Sequence, residues 1–392
     1  RRSSMPPTRR KQKAGSERGE INCALLSESV GQEVSSFSSD RIQSLWAGYG
    51  EITRIHLEYA AEGKSGEYAP STIIAKVVHP QRGETGEGHE RKLKSYQVEA
   101  CFYAEVAPAF LAAAAAREEG GGGGADFAVP RPLHVRADGN DALFLLSDIG
   151  VDYPQTSWGF DAETGAGPLA WLAAFHAAHW GAPPPPGLWP EGSYWRFETR
   201  REEWRGMRGR RHERLKRAAP ALDRRCRGLA RDGELPAGRN GNPFWDRTLC
   251  HGDAKSTNIQ LSSDGRRTVF YDFQYCGGGY GARDLAYFFC AGMGADAVEG
   301  AGEEELLRSY HRQLTARLPG PAAESFPFEA LLAQFELCLA DYTRFMAGWG
   351  MWGNSDWAER RTEQILDKID GGTLLSSQDD YFDAVYLAYP LE

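Results

Sequence analysis

Acidic and amide side chains that could bind a metal ion are concentrated between Leu249 and Gln274. The polar segment that contains Asp253 and Asn258 is predicted to be a loop between two short strand-like runs. Asp272 ends the next strand-like run, after a Ser-Ser-Asp-Gly turn. Because a hairpin brings these elements together, we expect the oxygen atoms of all three side chains at one pocket. An oxygen site of this kind is what Mg2+ prefers when it also holds substrate phosphates.

The order and spacing of these residues resemble a known set of catalytic parts. His251, Gly252 and Asp253 are followed by Asn258, and then by Asp-Phe-Gln at 272–274. Phosphotransfer enzymes of the protein-kinase type carry His-x-Asp, an asparagine five residues later, and a metal-binding aspartate on the next hairpin. The His-Gly-Asp form resembles the aminoglycoside phosphotransferase and choline kinase superfamily, and Asp-Phe-Gln resembles its ecdysteroid-kinase-like branch. The alternative, a buried polar loop, would require coincidences of residue type and spacing at every one of these positions.

This resemblance implies a kinase mechanism with ATP and Mg2+ as cofactors. Asp253 would orient the acceptor hydroxyl and take its proton, and Asn258 and Asp272 would hold the metal. Lys255 stands where protein Ser/Thr kinases carry a lysine that stabilises charge on the transferring phosphoryl group. His251 is expected to brace the loop and not to transfer protons.

A strand predicted at 71–78 contains one charged residue, Lys76, in the run Ile-Ala-Lys-Val. This run matches the strand lysine of kinases, which pairs with the nucleotide phosphates; an edge-strand lysine that points to solvent is the alternative. Such a lysine needs a glutamate from the next helix, which the apolar spacing predicts over Lys92–Ala107. Glu99 is preferred to the competing Glu105, because Glu-x-x-Phe-Tyr at that position resembles the helix of the family.

Two further segments of the N-terminal half are candidates for nucleotide binding. Gly48 and Gly50 lie between strand-like runs, where glycines let backbone N–H groups approach a phosphate; a simple hairpin turn is the alternative. A later predicted hairpin leads into Ser147, Asp148 and Ile149. In kinase folds this position is the hinge between lobes, whose backbone meets the adenine.

The segment after the metal-binding aspartate is short. Eleven residues separate Asp272 from Asp284, and no Ala-Pro-Glu run follows. A protein kinase needs a longer segment to seat a peptide, so the preferred partner is a small-molecule hydroxylated acceptor. A protein Ser/Thr kinase and a catalytically silent kinase-like binding module are the alternatives. Asp284 is predicted as the N-cap of a helix over Leu285–Ala291, and in the resembled superfamily an aspartate here braces the catalytic loop.

The resemblance implies an α+β, two-lobed protein-kinase-like fold. Its N-lobe would be a small antiparallel sheet with one main helix, and its larger C-lobe would be mostly helical. The chain has 392 residues, which suits such a unit. We predict a disordered basic tail over 1–19, a nucleotide-binding lobe over 20–150, and a helical lobe with the catalytic loop and acceptor site over 151–392.

Composition narrows the classes of partner. The net charge of -9 argues against nucleic acid as the main partner. No apolar run approaches the roughly 18 residues of a membrane span, and no obligatory protein partner is indicated. The seven cysteines are odd in number and contain no C-x-x-C pair, which predicts a reducing, cytoplasmic location.

Three other groups invite a functional interpretation, but structural roles explain them better. His176 and His179 are predicted to be structural histidines, because their spacing and surroundings do not suit a metal site. A charged helix predicted over Trp195–Arg217 is expected to present an ion-paired, solvated face, with nucleic-acid binding or a contribution to the acceptor pocket as alternatives. The C-terminal aromatics could form a cage for a cation, although aromatics at helical spacing are more often core; they are Tyr342, Phe345, Trp349, Trp352 and Trp357.

Overall fold

The structure is a computed structural model, and it describes residues 21–45, 48–60, 69–80, 83–112 and 128–391. The predicted basic tail over 1–19 lies outside the described residues. The chain divides into two compact units. Unit 1 comprises the residues up to 120 together with 129–151, and unit 2 comprises 121–128 together with 152–392.

Unit 1 is built on one antiparallel sheet of five strands with two helices. The strand order is β1-β2-β3-β5-β4, and every neighbouring pair is antiparallel. The elements are α1 (Cys23–Val30), β1 (Val34–Ser44), β2 (Gly50–Tyr59), β3 (Thr72–Val78), α2 (Glu87–Cys101), β4 (Pro132–Asp138) and β5 (Asp141–Ser147).

The core on one face of the unit 1 sheet is formed by alternate residues of the central strands. Ile55, Ile73, Leu143 and Leu145 are buried on one face of the sheet, and Leu26 of α1 packs against them. Alternation of this kind places every second side chain on the same face. The sheet is therefore anchored by its inner strands, while the edge strands are more polar.

The first strand begins earlier than the sequence suggests. A strand-like pattern is recognisable only from Ile42, yet β1 starts at Val34. Its serine-rich first half has a low strand propensity, and it is held by pairing with β2, including a hydrogen bond from Ser35 Oγ to Glu58 O of 3.0 Å. Tertiary pairing here overrides the local preference.

The helix of unit 1 runs past Pro108 instead of ending there. After α2 the chain forms a π-helical turn over Phe102–Val106, and residues 107–112 are again helical. Ala107 N donates to Phe102 O, which is the wider spacing of a π turn. Because proline has no N–H to donate, this widened turn lets the helix pass it.

Unit 2 is mostly helical, with short strands around the predicted catalytic loop. β7 (Thr248–Cys250) pairs with β10 (Gly277–Gly279), and β8 (Ile259–Leu261) pairs on either side with β6 (Gln155–Thr156) and β9 (Thr268–Phe270). The helices are α3 (Ala166–Ala178), α4 (Arg201–Gly206), α5 (Glu213–Cys226), α6 (Ala282–Ala291), α7 (Ala295–Val298), α8 (Gly302–Thr315), α9 (Gly320–Glu324), α10 (Phe328–Trp349), α11 (Ser355–Asp370) and α12 (Gln378–Ala388).

Helix α10 forms the centre of unit 2. It contacts α4, α5, α6 and α11, and most of its length is buried. Two of its buried charges are paired with each other, because Arg344 Nη2 donates to Asp341 Oδ1 at 2.8 Å, and the same nitrogen donates to Trp195 O at 3.0 Å. Such pairing is what allows charged groups to be buried.

The charged segment predicted as one helix over Trp195–Arg217 is broken into pieces. It contains a 3-10 turn at Phe197–Thr199, then α4, then a 3-10 turn at Arg210–His212 before α5. Gly206 and Gly209 fall at the breaks, where glycine disfavours a continuous helix. Arg214 of α5 pairs with Asp367 at 2.7 Å and also with Asp370, so this basic residue is held by acidic partners from α11.

The predicted fold class is confirmed, since a five-stranded antiparallel sheet with one main helix is followed by a larger helical part. Helices α1 and α12 were not predicted from the sequence. Among the described residues, no helix is long and apolar enough to cross a membrane.

Candidate active site

The predicted catalytic loop is held between strands at both ends. β7 leads into it at Cys250, and a 3-10 turn at Ser256–Asn258 returns it to β8. Gly252 has a φ of +81°, and a Cβ added there would lie 2.1 Å from Tyr275 O. Only glycine tolerates both the conformation and the close approach, which explains the middle residue of His-Gly-Asp.

The carboxylate of Asp253 is oriented by two donors on one of its oxygens. Oδ2 accepts from Asn258 Nδ2 at 2.9 Å and from Lys255 Nζ at 2.7 Å. Within the part of the chain that the structure describes, no hydrogen bond is made to Oδ1. Asp253 is thus a buried, rigidly held carboxylate with one oxygen left for another partner.

Asn258 is fixed by the same contacts. Its amide nitrogen donates both to the carbonyl oxygen and to the carboxylate of Asp253, each at 2.9 Å. The amide oxygen is therefore the atom that this side chain can offer to a cation. The backbone carbonyl of Asn258 accepts from Tyr271 N at 3.1 Å, which ties the loop to the residue before Asp272.

Asp272 has an unusual backbone conformation. Its φ of +70° lies in the left-handed region, where residues other than glycine are uncommon. Conformations of this kind cost of order 1–3 kcal/mol and cluster at functional sites. The strain here turns the chain sharply just after β9.

Lys255 remains charged in spite of its burial. Although burial alone would lower the pKa of its ammonium group, the carboxylates of Asp253 and Asp272 raise the pKa above its ordinary value. One cation therefore lies close to both acidic residues, and its charge balances part of theirs.

His251 is placed to brace the loop. Burial lowers the pKa of its imidazole, so the ring is neutral. Nδ1 accepts from Asp253 N at 3.2 Å, and Nε2 donates to Tyr271 O at 3.1 Å. Both ring nitrogens are thus used to connect the loop to the end of β9.

Asp284 holds the loop from the other side. Its carboxylate accepts from His251 N at 2.6 Å and from Gly252 N at 2.8 Å. The predicted role of Asp284 as a helix N-cap is wrong, because α6 begins at Ala282 with Gly281 as its N-cap. The side chain cannot cap the helix because it is turned toward the backbone of the loop.

The cluster of His176, Cys250 and Asp284 has the composition of a metal site, and its ligand atoms lie within 4.8 Å of one another. However, His176 Nε2 lies 3.1 Å from Asp284 Oδ2, and His176 Nδ1 lies 2.6 Å from Tyr310 Oη. Both nitrogens of His176 are therefore engaged within the protein, as expected for a structural histidine. For His179, burial lowers the pKa of the imidazole to about 4.

In unit 1, the structure brings Lys76 and Glu99 together. Lys76 Nζ donates to Glu99 Oε2 at 2.6 Å, and the two residues are only 5% and 1% exposed. Lys76 lies on β3, inside the sheet, with the rings of Tyr96 and Phe144 within 6 Å of its ammonium group. The competing Glu105 is exposed on the π turn.

The glycine turn joins β1 to β2. Gly48 has a φ of +72°. Gly50 has a φ of +148°, and a Cβ there would lie 1.9 Å from Val77 O. The second glycine is required by close packing of the turn on β3, so both glycines have a structural reason in addition to the predicted functional one.

The candidate hinge residues Ser147, Asp148 and Ile149 follow β5. Ser147 Oγ accepts from Arg131 N at 2.9 Å. Although burial alone would raise the pKa of Asp148, its ion pair with Arg54, at 2.6 Å, helps to lower it. The side chain of Asp148 therefore ties the end of β5 to Arg54 of β2.

A group of tyrosines beside Asp253 was missed in the sequence. Tyr194 N donates to Gly252 O at 3.2 Å, and its ring packs on Tyr287. Burial raises the pKa values of Tyr194 and Tyr287, and the nearby charge of Asp253 raises them further. Tyr194 had no recognisable signal, because it precedes a segment that reads as a charged helix.

The C-terminal aromatics do not form a single cage. Trp357 packs on Phe289 and Phe335. Phe345 and Trp349 stack on each other, and the guanidinium of Arg200 lies 4.9 Å and 5.2 Å from their ring centres. A cation of the protein itself therefore occupies this aromatic surface.

The chain is similar to several solved structures at low sequence identity. Solved structures similar to this chain include a microcompartment-associated aminopropanol kinase, at 15% identity over 94% of this chain and 99% of that one, with a TM-score of 0.45. They also include an aminoglycoside phosphotransferase from Alicyclobacillus acidocaldarius, at 14% identity over 95% and 97%, with a TM-score of 0.40. An ethanolamine kinase from Plasmodium vivax is 12% identical over 85% and 83%, with a TM-score of 0.35.

No curated protein matches the chain. The family model of the ecdysteroid kinase-like family matches residues 48–180 and 196–319. These two ranges span more than half of the chain and include Lys76, Glu99, the predicted catalytic loop and Asp284. The chain therefore belongs to the ecdysteroid kinase-like family.

Proposed function

We propose that this protein is an ATP- and Mg2+-dependent kinase that transfers the γ-phosphoryl group to a hydroxyl of a small molecule. Membership of a kinase-like family supports a kinase-type enzyme. The observation that carries the proposal is the state of Asp253, whose Oδ2 is held by Asn258 and Lys255 while Oδ1 has no hydrogen bond among the described residues. That is the arrangement a base needs when it receives a proton from an acceptor.

The phosphoryl transfer would proceed in one displacement. The acceptor oxygen attacks the γ-phosphorus, the bond from that phosphorus to the bridging oxygen breaks, and ADP leaves. The acceptor proton goes to Oδ1 of Asp253. The ammonium of Lys255, held 2.7 Å from Asp253 Oδ2, stabilises negative charge on the phosphoryl oxygens during transfer.

The donor atoms near the base suit a magnesium ion. Asn258 offers its amide oxygen and Asp272 its carboxylate, and oxygen donors are the ligands that Mg2+ prefers. When bound, Mg2+ would neutralise negative charge on the phosphates of ATP. Asn258 and Asp272 are the residues we assign to hold it.

We assign nucleotide binding to residues 20–150. The buried Lys76 would pair with the phosphates, and Glu99 would hold Lys76 in place. Gly48 and Gly50 would offer backbone N–H groups to phosphate, and the backbone around Ser147–Ile149 would meet the adenine. Residues 151–392 would supply the base, the metal ligands and the acceptor site.

A small acceptor is favoured over a protein substrate. The segment between Asp272 and Asp284 has only eleven residues, and its middle part is the strand β10, which pairs with β7. A segment that is short and already paired has no length left to seat a peptide. A protein kinase activity is therefore the second candidate function.

The substitution Asp253→Asn tests the role of the base. It keeps the shape of the side chain but removes its ability to take a proton, so phosphoryl transfer should fall by roughly 100- to 10,000-fold. The dissociation constant of Mg-ATP should change by less than about threefold, since Asp253 is not assigned to the nucleotide. Binding would be measured by calorimetry, and transfer with γ-labelled ATP across sterol, amine, sugar and protein acceptors.

Thr257→Ser is a matched control, because it changes an exposed side chain of the same loop that has no assigned role. If wild type and Asp253→Asn both bind Mg-ATP and neither phosphorylates any acceptor, the enzyme assignment is wrong. The chain would then be a nucleotide-binding module.

A further inference from the structure

The tyrosine of the glycine turn is fully buried. Tyr49 lies between Gly48 and Gly50 and is 0% exposed. Residues of a tight surface turn usually face solvent. The buried side chain of Tyr49 therefore attaches the described part of the turn to the body of unit 1.

The hydroxyl of Tyr49 is bound by two residues at the start of α2. It donates to the carboxylate of Glu84, and it lies 2.5 Å from His89 Nδ1. Glu84 and His89 are themselves only 3.7 Å apart. Burial and the adjacent carboxylate of Glu84 raise the pKa of Tyr49 to about 12, so the hydroxyl keeps its proton and its role as donor.

The ring of Tyr49 continues the contact along the same helix. Lys92 Nζ lies 4.7 Å from its centre, and the Tyr96 ring centre lies 6.5 Å away. Tyr96 in turn lies beside Lys76, whose ammonium is 5.6 Å from the Tyr96 ring centre. A continuous series of contacts therefore runs from the glycine turn to the buried lysine.

The backbone of the turn is fixed on its other side by the sheet. His79 N donates to Tyr49 O at 2.7 Å, just beyond the end of β3. Leu45 N donates to Gly50 O at 2.9 Å, which closes the turn. The sheet thus sets where the turn begins and ends, while Tyr49 sets its orientation toward α2.

We propose that Tyr49 is a positioning residue for the nucleotide, and that it holds the glycine turn and the helix bearing Glu99 as one rigid phosphate-binding surface. This inference rests on the proposed function, because it assumes that the turn and Lys76 bind the phosphates of ATP. Two phosphate-binding groups that are held in one geometry lose less entropy on binding than two that move independently. The hydroxyl and the ring of Tyr49 make the contacts that connect the turn to the helix.

The test is the substitution Tyr49→Phe, which removes the hydroxyl and keeps the ring. Loss of a hydrogen bond to a charged group should raise the dissociation constant of Mg-ATP roughly tenfold, with kcat at saturating ATP changed less than about twofold. Glu84→Ala should do the same, and the double variant should be no worse than the more affected single variant, since both remove one contact.

Tyr59→Phe is the matched control. Tyr59 is the last residue of β2, at the end of the strand opposite the glycine turn, and it donates to Pro70 O at 2.7 Å. Its variant therefore loses one partly buried tyrosine hydrogen bond of unit 1 without touching α2. It should leave Mg-ATP binding unchanged. Melting temperature is measured for each variant, to separate loss of positioning from loss of fold.

Hydrogen exchange provides a readout that does not depend on nucleotide. In Tyr49→Phe, amide exchange should accelerate together in residues 48–52 and 87–92, and it should not do so in Tyr59→Phe. Unchanged exchange and unchanged Mg-ATP binding in Tyr49→Phe would overturn the inference. Failure of the wild-type chain to bind Mg-ATP would instead overturn the proposed function, and the positioning role with it.

Discussion

At the scale of single residues, the structure groups side chains that are far apart in the sequence. Lys76 and Glu99 form a buried pair in unit 1, and Asp253, Lys255 and Asn258 form a connected set in unit 2. The sequence was sufficient to select these residues because each belongs to a motif of fixed spacing. In a motif of this kind, a fixed spacing along the sequence corresponds to a fixed arrangement of the side chains in space.

Substitutions in the Lys76–Glu99 pair can separate its effect on stability from its effect on Mg-ATP binding. Lys76→Met should lower the melting temperature by several degrees, because it leaves the Glu99 carboxylate buried without its cation, at a cost of about 3–5 kcal/mol. The double variant Lys76→Met/Glu99→Leu should recover most of this loss, since both charges are gone. Mg-ATP binding, measured by calorimetry, should be absent in both variants.

Recovery of nucleotide binding together with stability would show that Lys76 has only a structural role. The matched control is Arg54→Met, which removes the cation of another ion pair of the same sheet, with Asp148. It should affect the melting temperature less, because Arg54 is more exposed than Lys76.

The residues that the sequence did not reveal are those without a motif. Tyr194 and Tyr287 belong to different parts of the chain, and only the fold brings them close to Asp253. Tyr49 was visible as part of a glycine turn, but its burial against Glu84 and His89 depends on how α2 begins. Contacts between elements of this kind have no fixed spacing for a sequence pattern to detect.

At the scale of the elements, a helix with periodic apolar residues is easier to predict from the sequence than a segment rich in charged residues. α10 spans Phe328–Trp349 without a break, because its apolar residues recur with helical spacing over many turns. The segment from Trp195 has abundant helix-forming charged residues, but its glycines break it into short pieces. β1 was partly missed because sheet pairing, and not its serine-rich sequence, stabilises it.

A substitution in the glycine turn tests how tightly β2 and β3 are packed. Gly50→Ala should destabilise unit 1 by more than about 2 kcal/mol, because its Cβ would overlap Val77 O, and the backbone conformation is also unfavourable for alanine. Gly31→Ala is the matched control, since Gly31 has a φ of +71° but no atom within 4 Å of an added Cβ. It should cost only about 1–2 kcal/mol.

Chemical denaturation followed by far-ultraviolet circular dichroism would compare the two variants. Equal losses would show that the strain is purely conformational and that the approach to Val77 is relieved by a small shift. A larger loss for Gly50→Ala is the expected result.

At the scale of the whole molecule, the two units can be observed separately. Ten of the eleven tryptophans fall within 152–392 and one, Trp46, falls earlier. Tryptophan fluorescence therefore reports mainly on the unfolding of unit 2. This separation matters because a chain of two units need not unfold in a single transition.

The stability of unit 2 should depend on pH through His179. Burial lowers its pKa to about 4 from 6.5, so between these values the unfolded chain binds the proton more readily than the folded one. The contribution of His179 to the free energy of unfolding is fully present above about pH 6.5. It is lost as the pH falls toward 4, which lowers the free energy of unfolding by up to about 3 kcal/mol. His179→Gln should flatten this part of the profile when unfolding is followed by fluorescence.

At each pH, the free energy of unfolding of the variant is subtracted from that of the wild type, so that the effects of other titrating groups cancel. His134→Gln, in β4 of unit 1, is the control and should leave the fluorescence profile unchanged. A difference that does not vary with pH would mean that His179 is not the titrating group.

The strand β10 has a consequence for control of the protein. It is hydrogen-bonded to β7 on one side, and on the other Gly278 N donates to Trp189 O while Gly192 N donates to Gly278 O. A strand that is hydrogen-bonded along both edges cannot move between an active and an inactive position when a residue is covalently modified.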